Sequence, residues 1–400
     1  MAELKKELGL FEVTLAGIGI ILGAGIYALI GVASGIAGNA LWLAFLIGAV
    51  IALFTGLSYA ELSSIFKKDS GEYDYIKDAF NKRLAFWIGI LIIFSGIVSA
   101  AAVALGFAGY FSSLFKTPIV FIAIILTLLM SFINYYGIKE SSWFNVIATI
   151  VESIGLLIII ILSLKFIGNV DYFEMPNGFN GVLEATALIF FAFLGFETIV
   201  KLAEETKDPQ KTIPKAVILS IIISSIIYVL VAVAAVSVLP WQELSKSSAP
   251  LADVAQRSFG VEAGLVLAII ALFSTGNTVL ISMVTSSRMM YGMAAEKGLP
   301  KRFALIDKKR KTPWLSILIV MIVTLLFVLI GDIKIVAGIT NLTLFLTFGL
   351  VNLSLIVLRY KRPDLKRKFV SPLNIGRFNV IAFFGTLFSL FMIYYVITGF

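Results

Sequence analysis

One carboxyl group stands alone inside an apolar run. Glu152 is embedded in Val146-Ile-Ala-Thr-Ile-Val-Glu152-Ser153, with more apolar sequence on either side. A carboxylate at the centre of a membrane helix costs ~3 kcal/mol on insertion scales and is retained where it binds a proton, holds a cation or pairs with another group. The plainer alternative is a protonated Glu152 that bonds a neighbouring helix. A second kind of chemistry belongs to the backbone. Gly17-Ile-Gly19-Ile-Ile-Leu-Gly23-Ala24-Gly25 carries four glycines in another apolar run, and glycine lowers the cost of unwinding a helix. Unwound backbone in a membrane survives only against protein, water or a ligand. Freed N–H groups suit a carboxylate, and freed carbonyls suit an ammonium group or Na⁺. The competing reading is close helix packing through Gly19-x-x-x-Gly23 and Gly31-x-x-x-Gly35.

A third segment reads Phe190-Phe191-Ala192-Phe193-Leu194-Gly195-Phe196-Glu197. An aromatic run alone signals packing or lipid contact; before a glycine and the intramembrane Glu197 it can enclose a ligand side chain or close over it. The fourth segment holds Ser274, Thr275, Asn277 and Thr278, then Thr285, Ser286 and Ser287, on an apolar background. Single Ser and Thr residues bond back to their own helix, but several at one depth point to an ion or ligand. Glu12, Glu61 and Glu184 fall near the ends of apolar runs and are expected at the interface.

Composition fixes what must position these groups. Hydrophobic side chains make up 60% of the 400 residues and charged ones 14%, with a mean hydropathy of +1.01. A soluble surface needs about a quarter of its residues charged, so the chain is read as an all-α integral membrane protein. The first apolar run is too long for a secretory h-region and lacks a cleavage signature, so no signal peptide is expected. The absence of Cys and His removes disulfides, thiol nucleophiles, the usual general base and the commonest metal ligands. No metal and no organic cofactor are expected, and no nucleophile–base pair marks an enzyme. No strand precedes the Gly-rich stretch, which excludes a phosphate-cradling loop.

Apolar segments run over residues 9–35, 40–65, 86–113, 119–136, 143–166, 181–203, 214–239, 261–292, 313–331, 335–358 and 378–399, here called spans 1 to 11. Each is long enough to cross ~30 Å of hydrocarbon as a helix, and none alternates as a β-barrel strand would. With the N-terminus in the cytoplasm, 27 of the 32 Lys and Arg residues fall inside, leaving Lys116, Lys165, Lys246, Arg257 and Lys334 outside. That asymmetry predicts an N-inside topology and, after eleven crossings, an extracellular Phe400. It also assigns the net charge of +8 to connectors at a membrane rather than to nucleic acid. Spans 1 and 6 both carry mid-span glycines about 170 residues apart. An odd-numbered unit repeated in one chain is inverted, and such repeats with interrupted helices point to a transporter site at the midplane. The expected organisation is one transmembrane domain, 1–400, made of five-span repeats 9–168 and 181–359 plus the extra span 378–399.

Gly23-Ala-Gly25-Ile-Tyr resembles the first-helix signature of the amino acid–polyamine–organocation permeases. Phe193-x-Gly195-Phe196-Glu197 followed by Ala203-Glu204-Glu205-Thr206-x-x-Pro209-x-x-x-Ile213-Pro214 is similar to their sixth helix and its inner loop. Ser287-Arg288, Gly298-Leu299-Pro300, Thr312-Pro313 and Arg362-Pro363-Asp364 continue the resemblance in order along nearly the whole chain. It implies the leucine-transporter fold, alternating access, and amino acids or their amines as substrates in a cell membrane. Ile21, Gly23, Ala24 and Gly25 would bind the substrate's carboxylate and amine by backbone. Phe191, Ala192, Phe193, Leu194 and Gly195 would form the lid and side-chain pocket, with Ser99 and Asn277 beside them. Some proton-coupled members place a Lys in helix 5; here that region carries Glu152, with Gly19 and Ser274 as expected neighbours and Thr275 and Glu197 as further candidates for coupling to H⁺ or Na⁺. The family usually has twelve helices and this chain eleven, so it is expected to be a monomer or a weak homodimer. The function expected is proton-coupled uptake of a neutral amino acid, with an exchanger, a sodium symporter and a non-transporting sensor as alternatives.

Overall fold

In hydrocarbon the only partner for a backbone N–H is a carbonyl of the same helix or a buried neighbour, and the computed structural model is built accordingly. It describes residues 8–66, 71–137, 142–296, 298–307 and 309–399, with the side chains of 142–148 left aside; the expected extracellular position of Phe400 and the basic residues Lys5, Lys6, Lys67, Lys68, Lys139, Lys297 and Lys308 lie outside the described residues. Among the described residues the fold is all-α apart from a hairpin pairing Asn374–Ile375 with Phe378–Asn379. Among the described residues nine helices are long and apolar enough to cross a membrane. The stretch Ala24–Ile65 counts there as one, although a 3₁₀ turn at Gly38–Ala40 divides it into spans 1 and 2. Dividing it and adding the shorter apolar helix Trp314–Val328 recovers the eleven spans.

Span 1 is two helices, Leu10–Ile21 and Ala24–Ala37, called 1a and 1b. Span 2 is Leu41–Ile65, span 3 Lys82–Phe115, span 4 Ile119–Tyr136 and span 5 Ser142–Ser163. Span 6 begins as the α-helix Gly178–Ile189 (6a), tightens into 3₁₀ turns at Phe190–Phe193, and resumes as the 3₁₀ helix Phe196–Glu205 (6b). Spans 7, 8, 10 and 11 are Pro209–Val238, Val261–Ala295, Ile333–Lys361 and Val380–Thr398. Several run beyond the apolar segments, because a helix that leaves the hydrocarbon continues until a cap stops it. Asn81 accepts from Leu84 N–H at the start of span 3, and Asp332 accepts from Lys334 and Ile335 N–H at the start of span 10. Short helices Glu72–Ala79, Trp241–Leu244 and Pro250–Phe259 lie in connectors; the sequence reading had no helices there.

Span 2 packs on span 7, span 3 on span 8 and span 4 on span 9, while 1b lies against 6a and 1a against 6b. Span 11 rests on spans 10, 2 and 6a. Two of the three interfacial carboxylates are where they were expected. Glu12 accepts from Gly9 N–H at the start of 1a, and Glu184 pairs with Lys334 at 2.9 Å. Glu61 lies near a span end as well, but it is fully buried within the protein. Arg359 forks onto it through Nε (2.9 Å) and Nη2, Arg367 Nε lies 3.1 Å away, and Ser371 N–H donates at 2.8 Å. Two guanidinium groups and an amide satisfy the carboxylate, which is why it can be buried at the end of the span. This cluster, the hairpin and the Glu72 helix share one end of the bundle. There Leu8 pairs with the end of 6b, donating to Glu205 carbonyl (3.1 Å) and accepting from Lys207 N–H (2.9 Å).

Candidate functional site

The helix ends at the two breaks leave several backbone groups without intrahelical partners. In span 1 the interruption is Leu22–Gly23; in span 6 it is Leu194–Gly195, with Gly195 at φ +114°, a conformation that favours glycine. The breaks face one another. A Cβ on Gly25 would lie 2.5 Å from Ala192 Cα, and one on Gly195 would collide with the Ile20 side chain and stand 3.0 Å from its carbonyl. Both glycines therefore serve the close approach of spans 1 and 6. Gly23 differs: its Cβ would meet nothing nearer than Thr278 Oγ1 at 3.4 Å. Of the paired glycine motifs, Gly19 packs on Thr149, Gly31 on Pro250 and the Leu244 carbonyl, and Gly35 on Ser245. Packing thus explains every member of those motifs except Gly23.

Between the breaks is a cavity of about 40 Å³. Eight expected residues line it: Ile21, Gly23, Ala24 and Gly25 from span 1, Phe191, Ala192 and Leu194 from span 6, and Ser99 from span 3. Ile20, Val103 and Thr278 complete the wall. Three expected residues do not line it. Asn277 is half-buried outside this wall and Thr278 takes its place, one residue further along span 8. Phe193 turns away into an aromatic core with Phe45, Phe190 and Tyr228, because 3₁₀ turns carry successive side chains round by ~120° rather than 100°. Gly195 makes the break without lining the cavity. A larger cavity of about 250 Å³, bounded by Tyr27, Tyr110, Lys246, Ser247 and Pro250, opens at the opposite end of the bundle from the Glu61 cluster and is not where the breaks meet.

Three side chains from three places satisfy the broken backbone. Tyr228 of span 7 donates to Ile21 carbonyl and is also placed on Ala192 carbonyl at 2.8 Å. Asn341 of span 10 donates to Ala187 (2.7 Å) and Leu188 (2.8 Å), the carbonyls that 6a leaves exposed as it tightens. Glu197 accepts from Gly195 N–H at 2.8 Å, so it clamps the break instead of facing the cavity. Tyr228 and Asn341 escaped the sequence reading. The signal available was a lone polar tip in an apolar run, which when buried must find a partner.

Glu152 is 3% exposed, beside this site. The Ser274 hydroxyl faces its carboxyl and has no other partner. The Tyr27 hydroxyl donates to Glu152 carbonyl at 3.3 Å. Of the expected neighbours, Ser274 is in place. Gly19 meets Thr149, about one turn before Glu152, and Thr275 is turned back onto its own helix, donating to Ala271 carbonyl at 2.6 Å. Among the described residues no three acidic side chains converge as a metal centre. A cation at Glu152 would therefore rest on one carboxylate, hydroxyls and backbone carbonyls.

Residues 8–399 match the family described as amino acid permease. The chain is 30% identical to the branched-chain amino acid permease BcaP of Bacillus subtilis (strain 168), covering 98% of this chain and 88% of that one. It is 32% identical to the large neutral amino acids transporter small subunit 2 of Homo sapiens, over 91% of this chain and 72% of the human one. It is 28% identical to cationic amino acid transporter 4 of Mus musculus, over 90% of this chain but only 61% of the mouse one. Facing breaks in spans 1 and 6, a bundle of apolar helices and a match across nearly the whole length lead to one conclusion: the chain belongs to the amino acid permease family of the amino acid–polyamine–organocation superfamily, and is a multi-pass membrane transporter of amino acids rather than an enzyme.

Proposed function

We propose that the chain takes up a neutral amino acid by alternating access, driven by a proton carried on Glu152. The observation behind the substrate class is the cavity wall. Every residue lining it is uncharged, and its polar side chains are the hydroxyls of Ser99 and Thr278. A charged substrate side chain would enter that wall without a counter-ion, at a cost of several kcal/mol. The N–H groups opening helix 1b and the carbonyls closing 1a would take the carboxylate and the ammonium group common to all amino acids. The names of two relatives, a branched-chain permease and a large neutral amino acid transporter, agree with this reading; the cationic transporter's name does not.

The driving ion is read from Glu152, a buried carboxyl faced by the Ser274 hydroxyl, which has no other partner. Sodium remains the second reading, because that hydroxyl and nearby carbonyls are also oxygen ligands. Two five-span repeats, 9–168 and 181–359, with 378–399 added, fit the contacts between spans five apart, 2 with 7, 3 with 8 and 4 with 9. The basic end of the bundle, with the Glu61 cluster, is assigned to the cytoplasm of a cell-membrane protein. Uptake into proteoliposomes tests the whole. A neutral amino acid should accumulate under an inward proton gradient at zero sodium. Accumulation of arginine or lysine in its place, or a strict requirement for a sodium gradient, overturns the assignment.

A further inference from the structure

Buried Ser and Thr side chains in this bundle mostly donate to a carbonyl one turn back in their own helix. Thr127, Ser131, Ser237 and Ser258 all do so, which is the default for hydroxyls in a membrane helix. Span 7 breaks that habit on one face. Ser220, Ser224 and Tyr228 follow one another at intervals of four and so lie in a row. Ser220 donates across to Thr14 carbonyl of helix 1a at 3.0 Å, and Tyr228 donates to Ile21 carbonyl at the other end of 1a. Ser220 can come this close because the facing residue is Gly17, whose Cβ would collide with its hydroxyl. Between these anchors the Ser224 hydroxyl is fully buried and has no partner; beside Ser220 the Thr14 hydroxyl, on a residue 8% exposed, has none either. A buried hydroxyl without a partner calls for an explanation. Two on one seam, in addition to Ser274 at Glu152, call for a common one.

We infer that this seam between spans 1 and 7 is the path by which protons pass between Glu152 and the basic end of the bundle. The inference rests on the reading of Glu152 as the proton carrier and adds the route. Eight residues of α-helix from Tyr228 to Ser220 cover about 12 Å, and Thr14 stands four residues from the start of 1a at Leu10. Among the described residues the ionisable groups facing Glu152 are the phenols of Tyr27 and Tyr228, so the seam begins at a group in the carboxyl's own surroundings. Each hydroxyl accepts a proton on its oxygen and passes its own proton to the next oxygen. Water held by Ser224 and Thr14 completes the chain, since a buried water is held by otherwise unsatisfied polar groups. One proton leaves the Glu152 carboxyl, one emerges near Thr14, and every hydroxyl on the way ends as it began.

The test uses the full-length protein in liposomes. Ser224→Ala combined with Thr14→Val removes both unpartnered hydroxyls and leaves packing nearly unchanged. Counterflow of labelled substrate, which needs no net proton movement, should stay within about twofold of wild type. Uptake driven by a proton gradient should fall at least tenfold, and Ser224→Thr, which keeps a hydroxyl, should retain it. Glu152→Gln is run alongside. If it abolishes driven uptake while the seam variant drives uptake normally, the seam is overturned and the proton reading stands. If Glu152→Gln itself leaves driven uptake intact, the proton reading falls and the route falls with it. Joint loss of counterflow and driven uptake in the seam variant would make these hydroxyls packing groups and also overturn the route.

Discussion

Adding one methyl group at Gly23 and one at Gly25 should give opposite failures, although the residues are two apart. At Gly25 the new carbon would stand 2.5 Å from Ala192 Cα and 3.1 Å from Ala192 N. Ordinary contact begins near 3.4 Å, so spans 1 and 6 must part by about 1 Å, and both contacts are to backbone that cannot swing aside. Overpacking of this kind costs ~1–3 kcal/mol. At Gly23 the nearest atoms are Thr278 Oγ1 at 3.4 Å and Ile20 carbonyl at 3.5 Å, and φ is −51°, so the methyl group fits. Stability should stay within ~0.5 kcal/mol of wild type, as for a substitution that breaks nothing. The methyl group nevertheless projects into a cavity of about 40 Å³, where the space of one methylene is worth ~1–3 kcal/mol of discrimination, or roughly 10- to 200-fold. Gly23→Ala should therefore unfold at the wild-type temperature in detergent and raise KM for a neutral amino acid at least tenfold. Gly25→Ala should unfold earlier. Wild-type KM in Gly23→Ala, or wild-type stability in Gly25→Ala, would refute the placement of the break.

Glu152→Gln should retain substrate binding and counterflow while losing accumulation under a proton gradient, measured as tracer uptake at fixed sodium. Tyr228→Phe keeps the ring but removes the hydroxyl that reaches both Ile21 and Ala192 carbonyls; leaving a buried carbonyl unsatisfied costs ~1–3 kcal/mol, so thermal stability and substrate affinity should fall together. Glu61→Gln should destabilise by ~3–5 kcal/mol, the range for removing one partner of a buried ion pair, because Arg359 and Arg367 lose their counter-charge. Thermal unfolding should register that loss with no change in substrate preference.

The eleven spans were readable because hydrocarbon imposes one secondary structure on any apolar run of sufficient length. The breaks were readable because glycine in such a run has a physical cost. What could not be read was phase. Asn277 and Thr278 are adjacent in sequence, and only the rotation of span 8 about its axis decides that Thr278 meets the cavity. Phe193 was misplaced because nothing in the residues announces that an α-helix will tighten to 3₁₀ at Phe190. The burial of Glu61 was not readable because its partner Arg359 lies 298 residues away, and a pairing of that range leaves no local trace. Tyr228 and Asn341 repair breaks in other spans, so their role is visible only once those breaks are built.

Helix 6b is ten residues of 3₁₀ helix, where such runs seldom exceed three or four. A 3₁₀ helix rises ~2.0 Å per residue and an α-helix ~1.5 Å. The same ten residues therefore span about 5 Å more in this form than they would if wound as α-helix. That difference is close to one α-helical turn of slack, held between Gly195 at one end and the strand-like Leu8 bridge at the other. Rewinding these residues as α-helix would shorten the segment by that amount and draw its two ends together. The segment stores displacement in its winding, as a coiled spring does.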